Sequence, residues 1–201
     1  MLLLVGLGNP GQKYEHNRHN IGYVAVDEIV HRHSFGPWKS RFQGVVSEGR
    51  LGSKKVLALK PATFMNLSGQ SVGEAMRFYK LGLEDVVVMH DELALEPGKM
   101  KVKTGGGSAG NNGIKSITQH IGADYRRVRI GIGHPGDKNK VSGYVLHDFA
   151  RADQDWIDDL IPAMAGAAEK LATGDDAGFM NDVARVLKPN NHTPTPGEAS
   201  S

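Results

Sequence analysis

Residues 2–7, Leu-Leu-Leu-Val-Gly-Leu, form an unbroken apolar run that leads straight into Gly8-Asn9-Pro10-Gly11. A strand this uniformly apolar has to be covered on both faces, which is the mark of a parallel or mixed sheet wrapped by helices. The pattern returns at Val86-Val87-Val88-Met89. Between these runs the spacing turns helical: Ile21, Val24, Ile29 and Val30 predict a helix to about His33, and Val72, Ala75, Met76 and Tyr79 predict another that stops at Gly82. Residues 42–60 read as a hairpin built on Val45-Val46 and Val56-Leu57-Ala58-Leu59. Further on come a short strand at 99–103, a glycine-rich stretch at 105–113, a helix at 114–121 and an alternating strand at 127–133. The last helical region spans about 152–187, and Pro162 predicts a kink or a restart inside it. This alternation predicts one α/β domain over residues 1–188, a twisted mixed sheet surrounded by helices. Residues 189–201 carry one apolar residue, Ala199, and are expected to form a disordered tail.

The chain has no cysteine, which excludes disulfides, thiol nucleophiles and cysteine-ligated metals. Its apolar amino terminus is too short for a signal peptide, and no run is long enough to span a membrane, so a cytoplasmic protein with no membrane partner is expected. Net charge is +2, unevenly spread: +5 over residues 1–60, +2 over 61–150 and −5 over 151–201. A basic front and an acidic back orient a molecule toward a polyanion.

The run Tyr14-Glu15-His16-Asn17-Arg18-His19-Asn20 lies one loop after the first buried strand. Polar groups at the ends of strands are where sheet proteins place chemistry. An imidazole titrates near neutrality and amides direct dipoles at a carbonyl without changing charge, so His19 with neighbouring amides suggests a hydrolytic base with amide helpers. Asp91 follows the second buried strand and emerges at the same sheet edge if the two strands are parallel. There it can hold an imidazole in one tautomer.

Other motifs compete. Gly6-Leu7-Gly8-Asn9-Pro10-Gly11 fits the dinucleotide fingerprint, but polar residues 12–17 stand where the helix should pack and Pro10 withholds an amide. Gly106-Gly107-Ser108-Ala109-Gly110 fits a nucleophile elbow, leaving a serine esterase using Ser108 as an alternative, although its preceding strand looks half-solvated. The pairs His16/His19 and His31/His33 lack the i, i+4 spacing of helical metal ligands, and neither a metal nor another cofactor is expected. Lys99, Lys101, Lys103, Arg126, Arg127 and Arg129 could form a phosphate track, which leaves a non-catalytic RNA-binding module as a third reading.

Taken together, the ordered blocks Val5–Gly11, Tyr14 with Arg18–Gly22, Lys60-Pro61 with Thr63–Gly69, His90–Leu93, Asn112–Ser116 and Arg129–Gly136 resemble bacterial-type peptidyl-tRNA hydrolases, from Leu4 to about Leu187. The resemblance implies His19 as the base that activates water, Asp91 as its orienting partner and Asn9 as a substrate-positioning amide. It also implies that Tyr14, Phe64, Asn66 and Asn112 line the cleft for the peptide and the tRNA 3′ end. Met65 is expected beside Asn66 in the same site, and Lys103 and Arg129, as basic residues, are expected to contact tRNA phosphates. The implied partner is peptidyl-tRNA, acted on by a monomer without metal or cofactor. The sequence departs from the family where threonine commonly stands at Asn17 and histidines at Ser108 and Asn111. Residues 134–150 resemble the family's mobile flap.

Overall fold

The computed structural model describes residues 1–188. The expected disordered tail, residues 189–201, lies outside the described residues. The seven strands are β1 (Leu2–Gly6), β2 (Lys39–Arg41), β3 (Gly44–Leu51), β4 (Lys54–Pro61), β5 (Val86–Glu92), β6 (Met100–Thr104) and β7 (Arg126–Gly131). They form one mixed sheet in the order β2-β3-β4-β1-β5-β7-β6. The central strands β4, β1, β5 and β7 run parallel, while β2, β3 and β6 add antiparallel edges.

The α-helices among the described residues are α1 (Ile21–Arg32), α2 (Ser68–Phe78), α3 (Asn112–Ile121), α4 (Val141–Val145), α5 (Gln154–Gly166), α6 (Ala168–Ala172) and α7 (Asp176–Leu187). Along β1, Leu2 and Leu4 pack into a core with α1, α5, α6 and α7, and Leu3 and Val5 pack into a second core with α2 and α3. Both faces of the strand are therefore buried, as a continuous apolar run requires. Among the described residues no helix is long and apolar enough to cross a membrane.

Three elements differ from the sequence reading. Pro162 neither ends nor restarts its helix: α5 runs through it to Gly166. The missing N–H leaves only the carbonyl one turn earlier, on exposed Asp158, to water, and the chain breaks later, at Ala167. The stop after α2 is Lys80, held at φ 53°, rather than Gly82. Helix α3 starts two residues earlier than its apolar stripe, because the Asn111 side chain caps it.

The glycines of Gly6-Leu7-Gly8 and Gly22 serve packing. A Cβ on Gly22 would stand 2.3 Å from the Met89 carbonyl oxygen and 2.6 Å from the Leu7 amide, and one on Gly8 would stand 2.7 Å from the Tyr23 ring. The first turn of α1 thus rests directly on the ends of β1 and β5, where Tyr23 N–H donates to the Leu7 carbonyl and Leu7 N–H to that of Met89. Alanine at Gly22 gains about 1 kcal/mol of helix propensity. Overpacking against backbone that cannot rotate away costs about 1–3 kcal/mol. Gly22→Ala is therefore expected to lower the urea midpoint, and a midpoint at or above wild type would refute this account.

Candidate active site

The parallel register of β1 with β5, Gly6 beside Met89, brings the loops after both strands to one sheet edge. His19 sits on a 3-10 turn, Arg18–Asn20, that leads into α1, and its ring is nearly buried. Its Nδ1–H donates to Oδ2 of Asp91 at 2.8 Å. A carboxylate only accepts, so Nδ1 carries a proton, and in the neutral ring Nε2 keeps a lone pair. Asp91 is 4% exposed, and its other oxygen accepts from Asn111 Nδ2 at 3.1 Å.

Asn9 is fixed from three directions. Asn20 clamps its backbone, accepting from Asn9 N–H at 2.8 Å and donating to its carbonyl at 3.0 Å. Its side-chain oxygen accepts from Met65 N–H at 2.8 Å, leaving Nδ2 without a partner among the described residues. Asn9, Tyr14, His19, Phe64, Met65, Asn66, Asp91 and Asn112 all line one cleft of about 930 Å³. Phe64 is 58% exposed at its rim and meets the Tyr14 ring edge-on at 6.5 Å.

The basic residues are placed otherwise. Lys103 is exposed on the edge strand β6, and Arg129 donates through Nε to Glu92 at 2.8 Å, so neither lines the cleft. Arg127 is 3% exposed and Arg126 binds the Leu171 carbonyl and Asp176, which removes both from any phosphate track. Arg127 instead donates to the carbonyls of Gly106, Gly107 and Ala123, bracing the glycine loop. Ser108 has no histidine partner among the described residues and does not line the cleft, which leaves the serine-esterase reading without a base. Nor is any group of three or more histidines and carboxylates among the described residues placed to hold a metal ion.

Several cleft residues went unanticipated. Asn111 stands out in the sequence only as a departure from a family pattern, and its role becomes visible once α3 is seen to begin beside it. His134, Lys138, Val141, Ser142, Val145 and Leu146 also line the cleft, within the segment read as a flap. That segment carries α4 and is tied to the His19 turn. Asn17 Nδ2 donates to Asp148 at 2.8 Å, Arg18 N–H donates to the His147 carbonyl, and the Arg18 guanidinium lies 4.1 Å from the centre of the Tyr144 ring.

The family model described as peptidyl-tRNA hydrolase matches residues 3–192 of the chain. A peptidyl-tRNA hydrolase of Ruegeria pomeroyi is 63% identical over 97% of this chain and 82% of its own length. One of Parvibaculum lavamentivorans is 64% identical over 94% of this chain and 93% of its own. Among solved structures, peptidyl-tRNA hydrolase from Acinetobacter baumannii superposes with a TM-score of 0.87 at 39% identity, covering 91% of this chain and 94% of that one.

Opposing effects set the protonation of His19. Burial disfavours its imidazolium, and the Asp91 carboxylate, by charge and by hydrogen bond, more than compensates, so its pKa is raised above the ordinary histidine value. The neighbouring His90 goes the other way: fully buried, it is pushed below the ordinary value and stays neutral, donating through Nδ1 to the Asp91 carbonyl. The pairing of charged His19 with Asp91 therefore favours the folded state in acid and fades as pH rises through the raised pKa. Removing the carboxylate leaves burial alone. An NMR titration is expected to place the His19 midpoint above that of a model histidine in wild type and below it in Asp91→Asn; an unchanged midpoint in the variant would separate the two residues electrostatically.

Proposed function

The chain belongs to the peptidyl-tRNA hydrolase family and is a hydrolase that cleaves peptidyl-tRNA; from that premise, we propose how the residues of the cleft carry out the reaction. The observation that carries the reading is the His19–Asp91 pair, with Nε2 unencumbered, set in a cleft edged by neutral amides. His19 Nε2 takes a proton from a water molecule as that water attacks the ester carbonyl carbon. Asp91 keeps the ring in the reactive tautomer and stabilises the imidazolium that forms. The carbonyl oxygen becomes an oxyanion, and side-chain amides, the free Asn9 Nδ2 first among them, offer it hydrogen-bond donors. Collapse of the tetrahedral intermediate breaks the bond to the ribose oxygen, which recovers the proton from His19. The products are a free peptide carboxylate and a tRNA with its terminal hydroxyl restored.

The rest of the cleft suits the two halves of the substrate. Asn66 and Asn112 present amides matched to a peptide backbone, Met65 gives an apolar floor, and Tyr14 and exposed Phe64 offer ring faces and edges on which a base or a peptide side chain can rest. Lys103, with Lys101 on the same face of β6 and exposed Lys99 just before the strand, lies beyond the cleft where the phosphates of the tRNA body would run. Arg129 contributes there as well, its charge shared with Glu92. On this reading the protein works as a monomer in the cytoplasm.

His19→Ala is expected to lower kcat by about 10²–10⁴ while tRNA affinity stays within a few-fold, because a general base is lost and no phosphate contact is touched. Single-turnover cleavage of a peptidyl-tRNA with a parallel binding titration decides it, and substantial cleavage by the variant would remove His19 from the base role.

The neutral amides also predict what the enzyme refuses. A free α-ammonium would be desolvated against them with no counter-charge, whereas an acylated nitrogen meets its hydrogen-bond partners. N-acetylated aminoacyl-tRNA is expected to turn over faster than the unacetylated form by up to about 10⁴. Asn9→Asp keeps the acceptor for Met65 N–H and replaces the free donor by a charge, and is expected to narrow the gap. Equal rates on the wild type would refute amide recognition.

A further inference from the structure

We propose that Asn111 is a positioning residue for the hydrolysis, fixing the Asp91 carboxylate in the orientation that His19 requires. The proposal rests on His19 and Asp91 acting as described above. Asp91 is buried with two oxygens to satisfy: Oδ2 accepts from His19, and Oδ1 accepts from Asn111 Nδ2 at 3.1 Å. The other end of the Asn111 amide is already committed, its oxygen accepting from Gly113 N–H and Ile114 N–H at 3.0 Å each. Reversing the amide would set its NH₂ against two N–H donors and its oxygen against a carboxylate. The amide therefore has one allowed orientation, dictated by the first turn of α3, and it hands that orientation on to Asp91.

The residue does this without adding charge. Of the groups around Asp91, His90 is held neutral by burial, Glu92 is paired with Arg129, and Arg127 is spent on the glycine-loop carbonyls. Arg18 is engaged with Asp153 and the Tyr144 ring, and His134 and Lys138 line the cleft from the 134–150 segment without a hydrogen bond to Asp91 among the described residues. A neutral donor at 111 orients the carboxylate and leaves its whole charge to act on the imidazole.

A role limited to capping α3 makes different predictions, because serine and aspartate also cap helices. Asn111→Ser keeps a capping oxygen and loses the reach to Asp91. It is expected to lower kcat about ten-fold, with KM within two-fold and the melting temperature within a few degrees of wild type, since a misoriented base misplaces the attacking water. In an Asp91→Asn background the same change is expected to be nearly silent, because Asn111 acts through Asp91. Asn111→Asp is isosteric, retains the cap and puts a second carboxylate against Asp91. It is expected to raise the pH midpoint of the kcat/KM limb by about one unit, the added negative charge favouring the imidazolium. Wild-type kcat in Asn111→Ser, or an unmoved pH limb in folded Asn111→Asp, would overturn the proposal. His19→Ala, assayed alongside, tests the underlying mechanism separately: activity there would sink the base assignment whatever Asn111 does.

Discussion

Parallel pairing of β1 with β5 is the constraint on which everything else hangs. In a parallel pair the carboxyl ends of both strands face the same way, so the loop that leads to His19 and the residue that ends the second buried run, Asp91, arrive at one edge although 72 residues separate them. Antiparallel pairing would send them to opposite ends of strands of five to seven residues. At about 3.3 Å per residue that is well over 10 Å, far outside hydrogen-bond reach. The pairing in turn requires strands buried on both faces, and hence the uniformly apolar sequences of β1 and β5. The chemistry at the edge and the hydrophobicity of the core are two consequences of one topology.

What the sheet brings near, glycine brings into contact. The His19 turn is short, and α1 begins directly after it, so the helix can sit no further from the strand ends than His19 allows. Gly22 and Gly8 remove the side chains that would hold it away, and the Tyr23 N–H in the first turn of the helix finds the Leu7 carbonyl just past β1. The glycine-rich sequence that suggests a phosphate cradle is thus used for close packing of helix on sheet, and the amide Pro10 lacks is not missed.

The frame of the molecule was legible because periodicity reports burial, and burial decides which elements form a sheet. That His19, Asp91 and Asn9 share one sheet edge was legible for a related reason: polar residues that follow buried apolar runs are carried to the ends of the strands. The partners of Arg126, Arg127 and Arg129 were not, since basic residues along β7 read as a solvated cationic face. In the structure Arg127 is buried and Arg129 is paired with Glu92, because the pairing of β7 with β5 and the fold of the glycine loop supply acceptors that lie 20 residues or more away, apart from the nearby Ala123 carbonyl. At Pro162 the restart that the local rule offered beside a kink does not occur: the helix sits on the core through Leu160, Ile161 and Met164, and that burial outweighs one hydrogen bond lost on the solvent side.

The glycine loop shows most clearly how order is imposed from outside a segment. Gly105, Gly106 and Gly110 take positive φ and Ala109 follows at 47°, a conformation that by itself would sample many alternatives. A buried guanidinium on the sheet takes two of the loop's carbonyls, and at its far end Asn111 caps α3 while reaching back to Asp91. Support for the His19–Asp91 pair therefore runs from β7 through Arg127 to the loop, from the loop through Asn111 to Asp91, and from Asp91 to His19. Each link is a directional hydrogen bond to a side chain or carbonyl with no spare orientation. The glycine-rich stretch becomes, by this chain of contacts, part of the setting that holds the His19–Asp91 pair in one geometry.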